Sequence, residues 1–132
     1  SGLSEEGEVV WSSNVDEKQP VFSDPNGVGW TISVSYNEGI GRYLLSTEHG
    51  ASFNSNLGVF EAPEPWGPWK TVYYDKFGED DIEETVFYYN FSNAWSKGSD
   101  FVMVFSGIED NDSWNTVKGQ FVKRDATLKG EQ

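Results

Sequence analysis

The chain has 132 residues, 36% of them hydrophobic and 16% aromatic, enough to bury the core of one folded domain and too many for a disordered segment. A formal charge of −13 repels phosphate backbones and anionic membrane surfaces, and no apolar run approaches the roughly 20 residues that span a bilayer, so neither nucleic acid nor membrane insertion is expected. Without cysteine there are no disulfides, thiolate zinc sites or Cys nucleophile, and stability must come from packing.

Ser1-Gly2 stands where a Met would, which is compatible with a removed leader or upstream segment, and no basic start followed by an apolar stretch marks a signal peptide. Glu8-Val9-Val10-Trp11 reads as a short strand at about 8–12 with no sheet of its own; it is expected to close an edge in this chain or to complete a blade in another. Trp30 to Asn37 alternates strictly: Trp30, Ile32, Val34 and Tyr36 share one face, Thr31, Ser33, Ser35 and Asn37 the other. The apolar set is expected to point into the core. Asn37-Glu38-Gly39-Ile40-Gly41 then reads as a hairpin loop, with Arg42 to Thr47 as the returning strand.

Leu57 to Ala62 is apolar on both faces, as an interior strand is, and Lys70 to Tyr74 follows as a fourth strand. Between them, Glu61-Ala62-Pro63-Glu64-Pro65-Trp66-Gly67-Pro68-Trp69 has three prolines and a glycine that fix a rigid corner; an exposed aromatic platform is its second reading. Further strands are expected near Thr85 to Phe91, Phe101 to Phe105 and Asn115 to Val122. The offset that carries Tyr43 to Phe101 also carries Leu57 to Asn115, with a poorer match of Ile32 to Asn90. Such a repeat of four strands in roughly 50 residues has the size of a propeller blade. It places the last strand of the second unit near Leu128, at the end of the chain.

The runs Gly41-Arg42-Tyr43-Leu44-Leu45-Ser46-Thr47-Glu48-His49-Gly50 and Leu57 to Tyr74, with Asn93-Ala94-Trp95-Ser96, Phe101 to Gly107 and Trp114 to Gly119, carry a family resemblance over about Pro20 to Val122. They resemble the closing blades of a family of secreted bacterial proteins of unknown function. That family is itself similar to five-bladed glycoside hydrolase propellers of the arabinanase and sialidase kind. The resemblance implies a secreted or periplasmic location and a carbohydrate-associated role. This chain matches only the last blades, so a site assembled from several blades would be incomplete, and catalytic residues are not carried over.

The fold expected is therefore all-β and antiparallel: one domain over 1–132, with two four-stranded propeller-like blades at about 28–75 and 84–123. A self-contained β-sandwich is the alternative. The residues expected in the core are Trp30, Ile32, Val34, Tyr43, Leu45, Val59, Val102, Val104 and Val117.

His49, the only histidine, sits just past a strand end, but with no partner for a triad or metal cluster. Glycoside hydrolysis needs two carboxylates about 5 to 9.5 Å apart, and Glu48 is the acidic residue the resemblance favours, ahead of Glu61 and Glu38. Glu48 and His49 are thus the catalytic candidates. Tyr36, Arg42, Trp66 and Trp114 are the candidates for holding a sugar, by stacking or by a guanidinium fork. Glu109, Asp110 and Asp112 supply hard oxygen ligands that could hold Ca²⁺, without EF-hand spacing, and a solvated turn is their default reading; no cofactor is otherwise expected. The functional expectation is a carbohydrate-associated module that binds rather than cleaves. The chain is expected to self-associate, with a two-fold dimer favoured, and the alternative functions are a structural protein that self-associates to complete its sheets and a glycoside hydrolase completed by oligomerisation.

Overall fold

The computed structural model describes residues 2–123. Nine strands follow in order: β1 (Gly2–Leu3), β2 (Val9–Val10), β3 (Val28–Asn37), β4 (Arg42–His49), β5 (Asn56–Ala62), β6 (Lys70–Lys76), β7 (Phe87–Phe91), β8 (Asp100–Ser106) and β9 (Asn115–Gln120). Every pairing is antiparallel. The strands form a small β1-β2 ribbon, a four-stranded sheet β3-β4-β5-β6 and a three-stranded sheet β7-β8-β9, and no sheet closes into a barrel. The fold is all-β, as the alternation and turn chemistry require. The fourth strand of the second sheet, expected near Leu128, lies outside the described residues.

The β3-β4 turn forms as the sequence predicts. The Asn37 side-chain oxygen accepts from Gly39 N–H (2.9 Å) and Ile40 N–H (3.2 Å), and Gly41, at φ 63°, closes the loop with an N–H bond to Asn37 O (2.9 Å). Asn37 then pairs with Arg42.

The two larger sheets stack through β7, which lies against β3 and β4. Leu44, Leu57 and Val59 of the first sheet meet Tyr89, Phe91, Met103 and Phe105 of the second, with Val86 from the connection between them. Each such side chain contributes roughly 1.5–3 kcal/mol through burial. β5 is buried on both faces, as its unbroken apolar run implies. Of the expected core, Leu45, Val59 and Val102 are fully buried, and Tyr43, Val104 and Val117 are half-buried.

Strand β3 departs from expectation. Trp30, Ile32 and Val34 are 71%, 54% and 50% exposed, whereas Thr31, Ser33 and Ser35 turn inward. The alternation is real, but the buried face is the polar one. β3 is an edge strand that lies directly beside β7, and small hydroxyl side chains fill that seam. Ser33 Oγ donates to Asn90 Oδ1 (2.8 Å), Thr31 Oγ1 to Glu48 Oε1 (2.9 Å), and Ser46 Oγ, from the position paired with Ser33, to Tyr89 O (3.0 Å). The N-terminal segment departs too. Val9–Val10 pairs with Gly2–Leu3 of its own chain and closes no edge of either large sheet.

The inversion separates two substitutions of similar chemistry. Leu44→Ala should lower unfolding free energy by about 2–5 kcal/mol, because it opens a cavity between the sheets. Ile32→Thr should change it by about 0.5 kcal/mol or less, as at an ordinary surface position. Urea unfolding followed by tryptophan fluorescence measures both, and a cost at Ile32 as large as that at Leu44 would put the apolar face of β3 back in the core.

Candidate functional site

The first sheet has an outer face, turned away from the second sheet, and the segment Val21 to Asn26 crosses it over β5 and β6. Phe22 packs on Phe60 (centroids 4.7 Å apart, tilted) and edge-on against Trp69 (6.4 Å). Next comes an Asx turn at Asp24-Pro25-Asn26-Gly27. Asp24 Oδ1 accepts from Asn26 N–H (2.9 Å), Asp24 O accepts from Gly27 N–H (3.0 Å), and Gly27 takes φ 89°. The turn is tied to the sheet through Tyr74, whose hydroxyl donates to Asp24 Oδ2 (2.7 Å) and accepts from Asn26 Nδ2 (2.9 Å).

Between segment and sheet lies a cavity of about 560 Å³, walled by Phe22, Phe60, Trp69 and Tyr74, with Asp24 and Asn26 among its polar groups. That volume falls within the range of small-molecule sites. Tyr74 is held in place from behind by His49, whose ring stacks on it at 3.8 Å and 14°. The two rings come from strands on either side of β5 and share the outer face with Gly58, which pairs with both Thr47 and Tyr74 and leaves its side-chain space to the Phe60 ring. Two buried nitrogens here lack a hydrogen-bond partner, His49 Nε2 and Trp69 Nε1. Such groups cost about 1–3 kcal/mol and call for a reason. Burial foremost raises the Tyr74 phenol above its ordinary value; the Asn26 bond opposes this and the Asp24 carboxylate reinforces it. Tyr74 therefore stays a protonated donor to Asp24 through the neutral range.

The residues singled out from the sequence fall in separate places. Glu48 and His49 are neighbours on β4 and so point to opposite faces: His49 backs the cavity, while Glu48 is 1% exposed between the sheets. Glu48 Oε1 accepts from Thr31 Oγ1 (2.9 Å) and Oε2 from Phe53 N–H (2.8 Å), so both oxygens hold local structure. Tyr36 packs against Tyr43 (4.9 Å), and Arg42 pairs with Glu61 (2.8 Å). Trp66 meets Trp11 edge-on at 6.5 Å, and Trp114 meets Trp95 in the same way at 6.5 Å. Glu61 is engaged by Arg42, and Glu38 is exposed in the β3-β4 loop. Glu109 to Asp112 form a turn in which Asp110 Oδ1 accepts from Asn111 N–H (3.1 Å). Among the described residues no group of three His, Cys, Asp or Glu is placed to hold a metal ion.

Sequence reasoning missed Asp24, Asn26, Phe22, Phe60 and Tyr74 and treated Trp69 as part of a corner. The Asp-Pro-Asn-Gly turn was the available signal. What it could not supply was the partner, since Asp24 and Tyr74 are far apart in the chain. No family model, curated protein or solved structure matches the chain.

The buried Glu48 also acts on Tyr89, whose hydroxyl donates to Val86 O (3.0 Å). Burial chiefly, then the Glu48 and Tyr73 charges, push the Tyr89 phenol far above its ordinary value near 10. A raised phenol contributes stability that is complete below about pH 10 and is lost as pH climbs toward the folded-state value. Unfolding free energy should thus fall above pH 10 by up to about 1.4 kcal/mol per pH unit from this residue. In Tyr89→Phe that slope should shrink, as denaturant titrations at pH 9, 10 and 11 will report; an unchanged slope would clear Tyr89 of the effect.

Proposed function

We propose that this protein is a carbohydrate-binding module that seats a sugar unit in the cavity beneath Val21 to Asn26. The observation that carries the reading is the aromatic wall of Phe22, Phe60, Trp69 and Tyr74 around the hydrogen-bonded Asp24 and Asn26 side chains. A sugar answers each feature of that wall. Its C–H faces pack on aromatic rings, and its hydroxyls can accept from the Asn26 amide and donate to the lone pairs that Asp24 keeps beyond its two existing bonds. The Asp24-Tyr74-Asn26 chain of hydrogen bonds holds these groups in position before a ligand arrives, which reduces the ordering cost of binding.

Binding is favoured over cleavage because Asp24 is the one carboxylate among the described residues lining the cavity, whereas glycoside hydrolysis uses two. With a chain charge of −13, neutral pentose or hexose oligomers fit better than anionic sugars such as sialosides. The expected likeness to arabinanase-like propellers agrees with this reading, and a secreted or periplasmic setting is part of the proposal.

Titration with arabino-oligosaccharides and a panel of neutral hexose oligomers, read by tryptophan fluorescence and calorimetry, tests the reading. Dissociation constants in the micromolar to millimolar range are expected for at least one neutral sugar. Trp69→Ala, which removes a ring from the wall, should weaken binding about tenfold, in line with loss of one aromatic contact. Asp24→Ala should weaken it at least as much, and Trp114→Ala should leave it unchanged. Binding that ignores Trp69 and Asp24 but follows Trp114 would move the site to the second sheet.

A further inference from the structure

Strand β3 turns an apolar ridge outward. Trp30, Ile32, Val34 and Tyr36 are 71%, 54%, 50% and 44% exposed, and at one end Trp30 packs against Phe53 (5.4 Å) and Tyr88 (6.2 Å, 26° between planes), themselves 42% and 40% exposed. Phe53 and Tyr88 both adopt left-handed backbone, at φ 61° and 60°, which is costly for aromatic residues. Strained backbone here holds aromatic surface in contact with water, and the outward side chains of β3 stay exposed although Leu45 and Thr47 beside them on β4 are buried.

We infer that this ridge is the docking surface for a second copy of the chain, face to face about a two-fold axis. Two properties of the ridge favour this occupant. The first is charge. Residues 26–37 contain no charged side chain, in a chain of net charge −13, and their outward neighbours on β4, Tyr43, Leu45 and Thr47, are also uncharged. Two like-charged copies can therefore meet here without bringing carboxylates together, and a basic partner would find nothing on the ridge to pair with.

The second is area and pattern. The six side chains leave roughly 600 Å² uncovered, taking about 150–250 Å² for each whole aromatic residue. That equals the share of one partner at the lower end of stable interfaces, about 1,200 Å² in total. Under a two-fold axis passing between Ile32 and Val34, Ile32 of one copy meets Val34 of the other, and Trp30 meets Tyr36. The ridge is its own complement, as an isologous contact requires, and the packing is that of two sheet faces about 10 Å apart.

This inference does not depend on the sugar reading. Sedimentation velocity from about 1 to 100 µM, in about 0.02 and 0.3 M NaCl, tests it. The expected result is a dimer with a micromolar dissociation constant that tightens as salt screens the repulsion between copies. Ile32→Glu with Val34→Glu should raise that constant at least 100-fold while leaving circular dichroism and neutral-sugar binding unchanged, since both side chains face water in one copy. If the double variant fails to fold, Tyr36→Asp carries the same expectation. A wild-type chain still monomeric at the highest concentration and salt overturns the inference and leaves the ridge to a different protein or sheet. So does a dimer indifferent to these changes.

Discussion

The structure depends on a narrow polar seam where β3 meets β7. Ser33 of β3 bonds Asn90 of β7, Ser46 of β4 bonds the Tyr89 carbonyl of β7, and Thr31 bonds Glu48 within the first sheet, so small hydroxyl groups line the contact between the sheets. Larger apolar side chains at 31, 33 and 35 would wedge the sheets apart. Strand geometry then leaves no choice about the opposite face, because successive residues point in opposite directions. With the hydroxyls inside, Trp30, Ile32, Val34 and Tyr36 must point out. The main apolar contact is displaced toward β4 and β5, where Leu44, Leu57 and Val59 meet the second sheet.

Glu48 belongs to the same seam and shows how a chemically suggestive residue becomes architectural. A buried carboxylate is expensive unless its oxygens are satisfied, and here one oxygen takes the Thr31 hydroxyl and the other the Phe53 amide. The Phe53 bond anchors the β4-β5 connection at one of its left-handed residues, and Ser52 Oγ adds a second tie by accepting from Trp30 N–H. The charge that holds this loop is also the one that disfavours an ionised Tyr89 beside it. Placing an acidic residue at a strand end says nothing of which face it takes, and that face separates a solvent-facing acid from a buried anchor.

Much of the architecture was legible because it is local. Asn37 and Gly41 encode their turn through side-chain and backbone chemistry within five residues, and the doubly apolar run of β5 could only be an interior strand. The orientation of β3 was not legible, since alternation gives a period and not a direction. The usual rule that apolar means inward failed where two backbones had to come close. The cavity was hidden for another reason. Its aromatic wall joins Phe22 to Phe60 and Trp69, and its polar chain joins Asp24 to Tyr74, contacts between residues far apart in the chain. The opposite facing of Glu48 and His49, by contrast, could be read from their adjacency on a strand.

Cavity and ridge divide one sheet face between them. The segment Val21 to Asn26 covers the β5-β6 half and forms the cavity, while the β3 half stays open. The boundary is a single stretch of backbone: Asp24 to Gly27 forms the cavity's turn, Gly27 O accepts from Gly50 N–H (3.0 Å), and Val28, paired with His49, begins β3. A ligand that steadies the Asp24 turn therefore also steadies the start of β3. His49 lies where the two halves join, stacked on Tyr74 toward the cavity and backbone-paired to Val28 toward the ridge.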